Sequence, residues 1–171
     1  MEERKGIVTM KGNPLTLLGP EIKAGDQAPD FTLVDNDLQE LNLKDFESQV
    51  LIVSSVPSLD TPVCDMETRR FNTEAASLSP EIKILTVSMD LPFAQKRWCG
   101  AAGVDQVMTL SDHRHVSFGR HYGVLIKELR LLARAVFVLD PSRVVKMVQL
   151  VKEIGEEPDY DSILEQAKGL I

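Results

Sequence analysis

Cysteine is scarce in this chain, and its scarcity is informative. Only two cysteines occur in 171 residues, Cys64 and Cys99, and they lie 35 positions apart. They do not form the C-x-x-C motif used for exchange with protein thiols, and two thiols alone cannot complete a closed zinc site. No signal-peptide core follows Met1, so the cytoplasm is the expected compartment. A structural disulfide is uncommon there, whereas a catalytic or redox-sensing pair is admissible.

Other absences exclude further classes of protein. No stretch approaches the roughly 18 apolar residues of a membrane span. The net charge of −7 disfavours nucleic acid or an anionic membrane as a partner, because both require a basic face. No glycine-rich phosphate loop or nucleotide fingerprint is present. Length and composition are those of one globular domain, residues 1–171.

The hydrophobic pattern predicts an α/β fold. Residues 1–28 are expected to form an N-terminal β-hairpin extension, and a second pair of strands follows it. From residue 49 onward, strands alternate with helices in the order βαβ, an αβα insertion and ββα, which is the thioredoxin order with an insertion. The predicted strands are 7–10, 15–18, 31–34, 40–43, 50–54, 82–87, 107–110, 135–139 and 144–151. The predicted helices are 64–78, a helix from 92 that ends at Gly100 or Gly103, 116–121 and about 163–170.

Cys64 lies where a strand is predicted to pass into a helix. Thr61 is a good N-cap, and Pro62 is suited to the first helical position. Cys64 then occupies the third position, where unpaired N–H groups and the helix dipole stabilise a thiolate. The alternative is an inert buried cysteine on an apolar helix face that includes Phe71.

The residues around Cys64 resemble a known family. Pro57, Thr61 and Cys64 match the peroxiredoxin pattern P-x-x-x-T-x-x-C, and residues 57–64 as a whole resemble the thiol peroxidase branch, the atypical two-cysteine peroxiredoxins of bacteria. Further agreement with that branch covers nearly the whole chain and includes residues 93–100, 133–135 and 153–160. The resemblance implies a thioredoxin fold with a peroxiredoxin-type insertion.

The resemblance also implies roles for five residues. Cys64 would be the peroxidatic nucleophile that becomes a sulfenic acid, and Cys99 the resolving cysteine that closes an intramolecular disulfide. Arg134 would supply a fixed positive charge. Thr61 would hydrogen-bond the sulfur or the peroxide oxygen, and Pro57 would shape the loop. Because the two cysteines belong to different predicted helices, we expect local unfolding before they bond.

The implied reaction is the reduction of hydrogen peroxide and alkyl hydroperoxides, with thioredoxin as the reductant. No metal, haem or flavin cofactor is implied, and a homodimer is usual in the family. Two other functions remain open: a thioredoxin-like disulfide oxidoreductase and a redox-switch binding protein. The first is weakened by the missing C-x-x-C and by the absence of proline between Phe93 and Asp140.

Several other residues have simpler interpretations. Thr61 and Trp98 fit a helix cap and a packing residue, respectively. Glu67 lies in the first helical turn, where a carboxylate suits the dipole but opposes a thiolate. Three histidines could suggest a metal site, but they lack a fourth ligand at a typical spacing; they are His113, His115 and His121.

Overall fold

The structure is a computed structural model that describes residues 1–46 and 49–171. Its strands are β1 (Glu3–Met10), β2 (Asn13–Leu18), β3 (Thr32–Val34), β4 (Glu40–Asn42), β5 (Val50–Ser55), β6 (Ile82–Ser88), β7 (Met108–Ser111), β8 (Leu125–Ile126), β9 (Leu131–Leu132), β10 (Ala135–Leu139) and β11 (Val145–Leu150). Its α-helices are α1 (Pro62–Ala75), α2 (Pro92–Ala102), α3 (Ser117–His121) and α4 (Tyr160–Lys168), and a 3₁₀ helix spans Leu43–Phe46. The predicted α/β alternation is therefore present.

A seven-stranded sheet in the order β11-β10-β5-β6-β7-β3-β4 forms the centre of the molecule. β5, β6 and β7 are parallel to one another, and the flanking pairs are antiparallel. All six residues of β5 are buried, as expected for a central parallel strand covered on both faces. Successive side chains alternate between the two faces, so Leu51 and Ile52 lie in different hydrophobic cores.

The two cores have different partners. Ile52 packs in a cluster with Phe71 of α1 and Ile163 of α4. Leu51 packs in the larger cluster, which also contains Leu17 of the N-terminal hairpin. The hairpin is thus anchored through the same core that supports the central sheet.

Several bounds differ from the prediction by a few residues, and two differences concern the N-terminal hairpin and helix α1. The N-terminal hairpin belongs to a four-stranded sheet, β1-β2-β8-β9, whose last two strands were not predicted because two residues are too short for a periodic signal. Helix α1 ends at Ala75 instead of residue 78, although Leu78 still packs against the core. Within the described residues, no helix is both long enough and apolar enough to cross a bilayer.

Candidate active site

The local sequence places Cys64 at the start of α1, as predicted. Thr61 is the N-cap, and its hydroxyl accepts a hydrogen bond from the Cys64 backbone N–H at 3.4 Å. The Cys64 side chain is fully buried and packs with Val56 and Leu59, against which Trp98 of α2 also lies. The sulfur therefore lies at a helix N-terminus, where unpaired N–H groups and the dipole are positive, in an environment that excludes bulk water.

Arg134 contacts the Cys64 sulfur directly. It precedes β10, and its Nη2 lies 3.1 Å from Cys64 Sγ. Nε and Nη2 also donate to the Ile154 carbonyl at 3.1 and 3.0 Å, which fixes the guanidinium plane. The side chain is only 1% exposed. A charged donor at this distance stabilises negative charge on the sulfur.

Glu67 is a site residue whose position the sequence did not reveal. Its Oε2 pairs with Arg134 Nη1 at 2.5 Å, and its Oε1 accepts from the Ser54 hydroxyl at 2.7 Å. The carboxylate is 1% exposed. A signal did exist, because Glu67 follows Cys64 by three residues and so shares its helix face. The Arg134 guanidinium thus donates hydrogen bonds to both the Glu67 carboxylate and the Cys64 sulfur.

Burial and pairing shift the pKa values of both Glu67 and Arg134. Burial raises the pKa of Glu67, although Arg134 and the Ser54 hydroxyl act in the opposite direction. Burial alone would lower the pKa of Arg134, but the Glu67 carboxylate and the Cys64 sulfur outweigh it and raise that pKa. Arg134 therefore keeps its charge at physiological pH.

Asp90 is a second site residue that sequence reasoning missed. Its carboxylate accepts from the Ser58 hydroxyl at 2.7 Å, from the Leu59 N–H at 2.8 Å and from the Ser88 hydroxyl at 2.7 Å. Asp90 lies between β6 and α2, so these bonds connect the loop before Cys64 to the helix that carries Cys99. Two donors from the loop and one from the end of β6 therefore meet on one carboxylate, which links the loop to β6.

The other two predicted site residues, Pro57 and Thr61, belong to the segment between β5 and α1. Pro57 is buried in the loop that follows β5. The Thr61 hydroxyl donates to the Ser58 carbonyl at 3.0 Å while it accepts from Cys64 N–H. The structure thus places Thr61 as a helix cap, and its contact with a peroxide stays a prediction.

Cys99 is not brought together with Cys64. Both cysteines are free, and the half-buried Cys99 lies 3.4 Å from the Thr109 hydroxyl of β7. Its neighbour Trp98 faces α1, where its Nε1 donates to Asp65 Oδ1 at 3.0 Å. Adjacent helical residues point about 100° apart, so Cys99 and Trp98 contact different elements.

The histidines considered as metal ligands have separate partners. His113 Nδ1 lies 2.9 Å from Ser111 Oγ, and His115 Nε2 lies 2.8 Å from Glu40 Oε1. His121 Nδ1 lies 2.7 Å from a backbone carbonyl. Among the residues that the structure describes, no group of three or more potential ligands converges on one point.

Comparison with known proteins places this geometry in a family. The Redoxin family matches residues 23–164. The chain is 56% identical over 164 residues to a thiol peroxidase of Bacillus subtilis (strain 168), a match that covers 96% of this chain and 98% of that protein. The chain belongs to the thiol peroxidases of the redoxin family. It is therefore a thiol-dependent peroxidase with a thioredoxin-like fold, which confirms the resemblance found in the sequence.

Two further thiol peroxidase and peroxiredoxin relatives agree over almost the full length. A thiol peroxidase of Staphylococcus aureus (strain MRSA252) is 53% identical over 163 residues, covering 95% of this chain and 98% of that protein. The crystal structure of a peroxiredoxin-like protein from Aquifex aeolicus superimposes with a TM-score of 0.91 at 45% identity and covers 100% of both chains.

Proposed function

We propose that the chain reduces hydrogen peroxide and organic hydroperoxides to water and alcohols through Cys64. The observation that carries the proposal is the Arg134 guanidinium 3.1 Å from the Cys64 sulfur at the N-terminus of α1. The thiolate attacks the terminal peroxide oxygen, the O–O bond breaks, and the sulfur becomes a sulfenic acid. The leaving oxygen takes a proton to become the alcohol or water. Arg134 stabilises the charge that moves from sulfur to oxygen.

Cys99 completes the cycle in this proposal. Its sulfur attacks the sulfenic sulfur of Cys64, the S–O bond breaks, and water leaves as the intramolecular disulfide forms. Because the two thiols contact different elements, α1 or α2 must rearrange first, as the sequence suggested. Thioredoxin is the proposed reductant of the disulfide, and the cell would use the reaction in antioxidant defence.

We further propose that residues 1–171 form one cytoplasmic domain that assembles as a homodimer. The shared core of the hairpin and the central sheet supports the single domain, with residues 1–28 as its extension. Sedimentation equilibrium of the reduced protein tests the dimer: a mass of one chain at micromolar concentration would contradict it.

A coupled assay tests the reaction. Consumption of NADPH is followed with thioredoxin reductase, thioredoxin and either hydrogen peroxide or tert-butyl hydroperoxide. Cys64→Ser should abolish turnover, and Cys99→Ser should stop after one equivalent of peroxide with a sulfenic acid that dimedone traps. Peroxide consumption by Cys64→Ser at the wild-type rate would refute the proposal. Oxidation by protein disulfides but not by peroxides would instead favour a disulfide oxidoreductase, and inertness to both a redox-switch binding protein.

A further inference from the structure

The Cys99 thiol lies at one end of a short chain of hydrogen bonds that continues through Thr109 to Asn36. The Thr109 hydroxyl donates to Asn36 Oδ1 at 3.1 Å. A hydroxyl has one hydrogen to give, so toward Cys99, 3.4 Å away, its oxygen acts as the acceptor. The Cys99 S–H therefore donates to Thr109, and Asn36 fixes the direction of this bond.

The thiols of Cys99 and Cys64 have different partners. The Cys99 thiol lies against Thr109 of β7, whereas the Cys64 sulfur lies against Arg134, which precedes β10. β5 and β6 lie between those two strands, and Trp98, rather than Cys99, packs against the Cys64 cluster. Formation of a disulfide removes the thiol proton that Cys99 donates to Thr109, so this hydrogen bond must break before Cys99 can react with Cys64.

We propose that Thr109, supported by Asn36, is a positioning residue that retains the Cys99 thiol on β7 and so limits the rate at which Cys99 reaches an oxidised Cys64. The inference rests on the proposed function, in which Cys99 is the resolving thiol. Slow release lengthens the life of the sulfenic acid, the species that a second peroxide converts to a sulfinic acid. Thr109 would thereby set the balance between disulfide formation and overoxidation.

Thr86 provides a matched control for Thr109. The two residues are register partners on the parallel strands β6 and β7, and both are at least 98% buried. The Thr86 hydroxyl has no hydrogen-bond partner among the described residues. Threonine to valine changes the same atoms at both positions, but only Thr109→Val removes a bond to a cysteine.

Rapid mixing of the reduced protein with hydrogen peroxide separates the two chemical steps. The rate of sulfenic acid formation depends on peroxide concentration, whereas the rate of disulfide formation does not. Samples quenched with an alkylating reagent and analysed by mass spectrometry give both rates. Thr109→Val should accelerate disulfide formation about two- to fivefold, the range expected for the loss of a hydrogen bond from a weak thiol donor. The peroxide-dependent step should be unchanged, because Thr109 does not contact Cys64 or Arg134.

The remaining variants distinguish positioning from packing. Thr109→Ser keeps the hydroxyl and should retain a rate near that of the wild type, whereas Thr86→Val should not accelerate disulfide formation. Thr109→Val should also yield less sulfinic acid at high peroxide concentration. An unchanged or slower disulfide step in Thr109→Val would overturn the inference.

A second measurement is independent of the catalytic cycle. In the Cys64→Ser background, the reaction of Cys99 with 5,5′-dithiobis(2-nitrobenzoic acid) reports its release from β7. Adding Thr109→Val should raise that rate about two- to fivefold, and adding Thr86→Val should not. Equal rates in all three proteins would contradict the anchoring of Cys99 by Thr109. If the wild type forms no Cys64–Cys99 disulfide, the proposed function fails instead, and this thiol reaction still tests the anchor.

Discussion

Removal of the Arg134 charge should destabilise the protein through Glu67. Arg134→Met replaces the guanidinium with an apolar side chain of similar length. The Glu67 carboxylate, which is 1% exposed, then loses its charged partner and retains the hydrogen bond from the Ser54 hydroxyl. Breaking a buried ion pair in this way costs about 3–5 kcal/mol. That is a large part of the roughly 5–15 kcal/mol by which a domain is stable.

Two variants make this prediction specific. The double variant Arg134→Met/Glu67→Gln has no unpaired charge at this position, and the glutamine amide oxygen can still accept a hydrogen bond from Ser54. It should recover about 2 kcal/mol of the stability that Arg134→Met loses. Arg70→Met is the surface control: Arg70 lies on α1, is 41% exposed and pairs with Glu74 and Asp161. Its loss should change the free energy of unfolding by about 1 kcal/mol or less.

The pH dependence of the loss follows from the pKa of Glu67. Burial already raises that pKa in the wild type, and Arg134→Met removes two contributions that lower it. The folded variant therefore binds a proton more tightly than the unfolded chain does, and its stability falls as the pH rises from about 4.5 through the folded-state pKa. The deficit relative to the wild type should grow as the pH rises above about 4.5, the ordinary pKa of a glutamate side chain, but the double variant should lack this growth.

Urea unfolding under reducing conditions, followed by far-ultraviolet circular dichroism, measures these differences. The reasoning is refuted if Arg134→Met loses no more stability than Arg70→Met, or if Glu67→Gln fails to recover any of the loss. Arg134→Met should also slow the reaction of Cys64 with peroxide by a factor of about 10 to 150, because a hydrogen bond from a charged group contributes about 1.5–3 kcal/mol.

Three further predictions concern other parts of the chain. Burial raises the pKa of Asp112 from 3.8 to about 6. The folded protein therefore binds this proton more tightly than the unfolded chain, and the free energy of unfolding should fall by up to about 3 kcal/mol as the pH rises from about 4 through 6. Asp112→Asn should remove this slope from urea titrations at pH 4–7. Gly123→Ala should lower the thermal midpoint more than Gly103→Ala: both residues have positive φ, but only at Gly123 would the added Cβ meet backbone, 1.9 Å from the Pro20 carbonyl oxygen. Trp98, the only tryptophan, packs against the Cys64 cluster, so its fluorescence should change on peroxide treatment and recover with dithiothreitol; unchanged emission would mean that α2 stays in place.

The sequence predicted those parts of the site that local chemistry determines. Thr61 and Pro62 specify a helix start without tertiary contacts, and the helix begins there. Arg134 was named only through the family resemblance, because an arginine before an apolar strand has no distinctive local signal. Glu67 was recognised as a first-turn carboxylate, but whether it faces solvent or the sheet depends on packing between α1 and β5. Asp90 was missed because two of its three donors, Ser58 and Leu59, lie 32 and 31 positions away in the sequence.

Cys99 illustrates the limit of such prediction most clearly. The sequence indicated that two cysteines could pair, and it placed Cys99 on a helix that begins at Pro92. It could not indicate which element the thiol contacts. Two neighbouring side chains of α2 both pack against other parts of the protein, Trp98 against α1 and Cys99 against β7. The hydroxyl that receives the thiol comes from β7, and the amide that supports that hydroxyl, Asn36, comes from a turn 63 positions before Cys99. A cysteine pair in the sequence therefore suggests the end states of the proposed redox cycle, whereas the rate of passage between them would depend on contacts that only the fold creates.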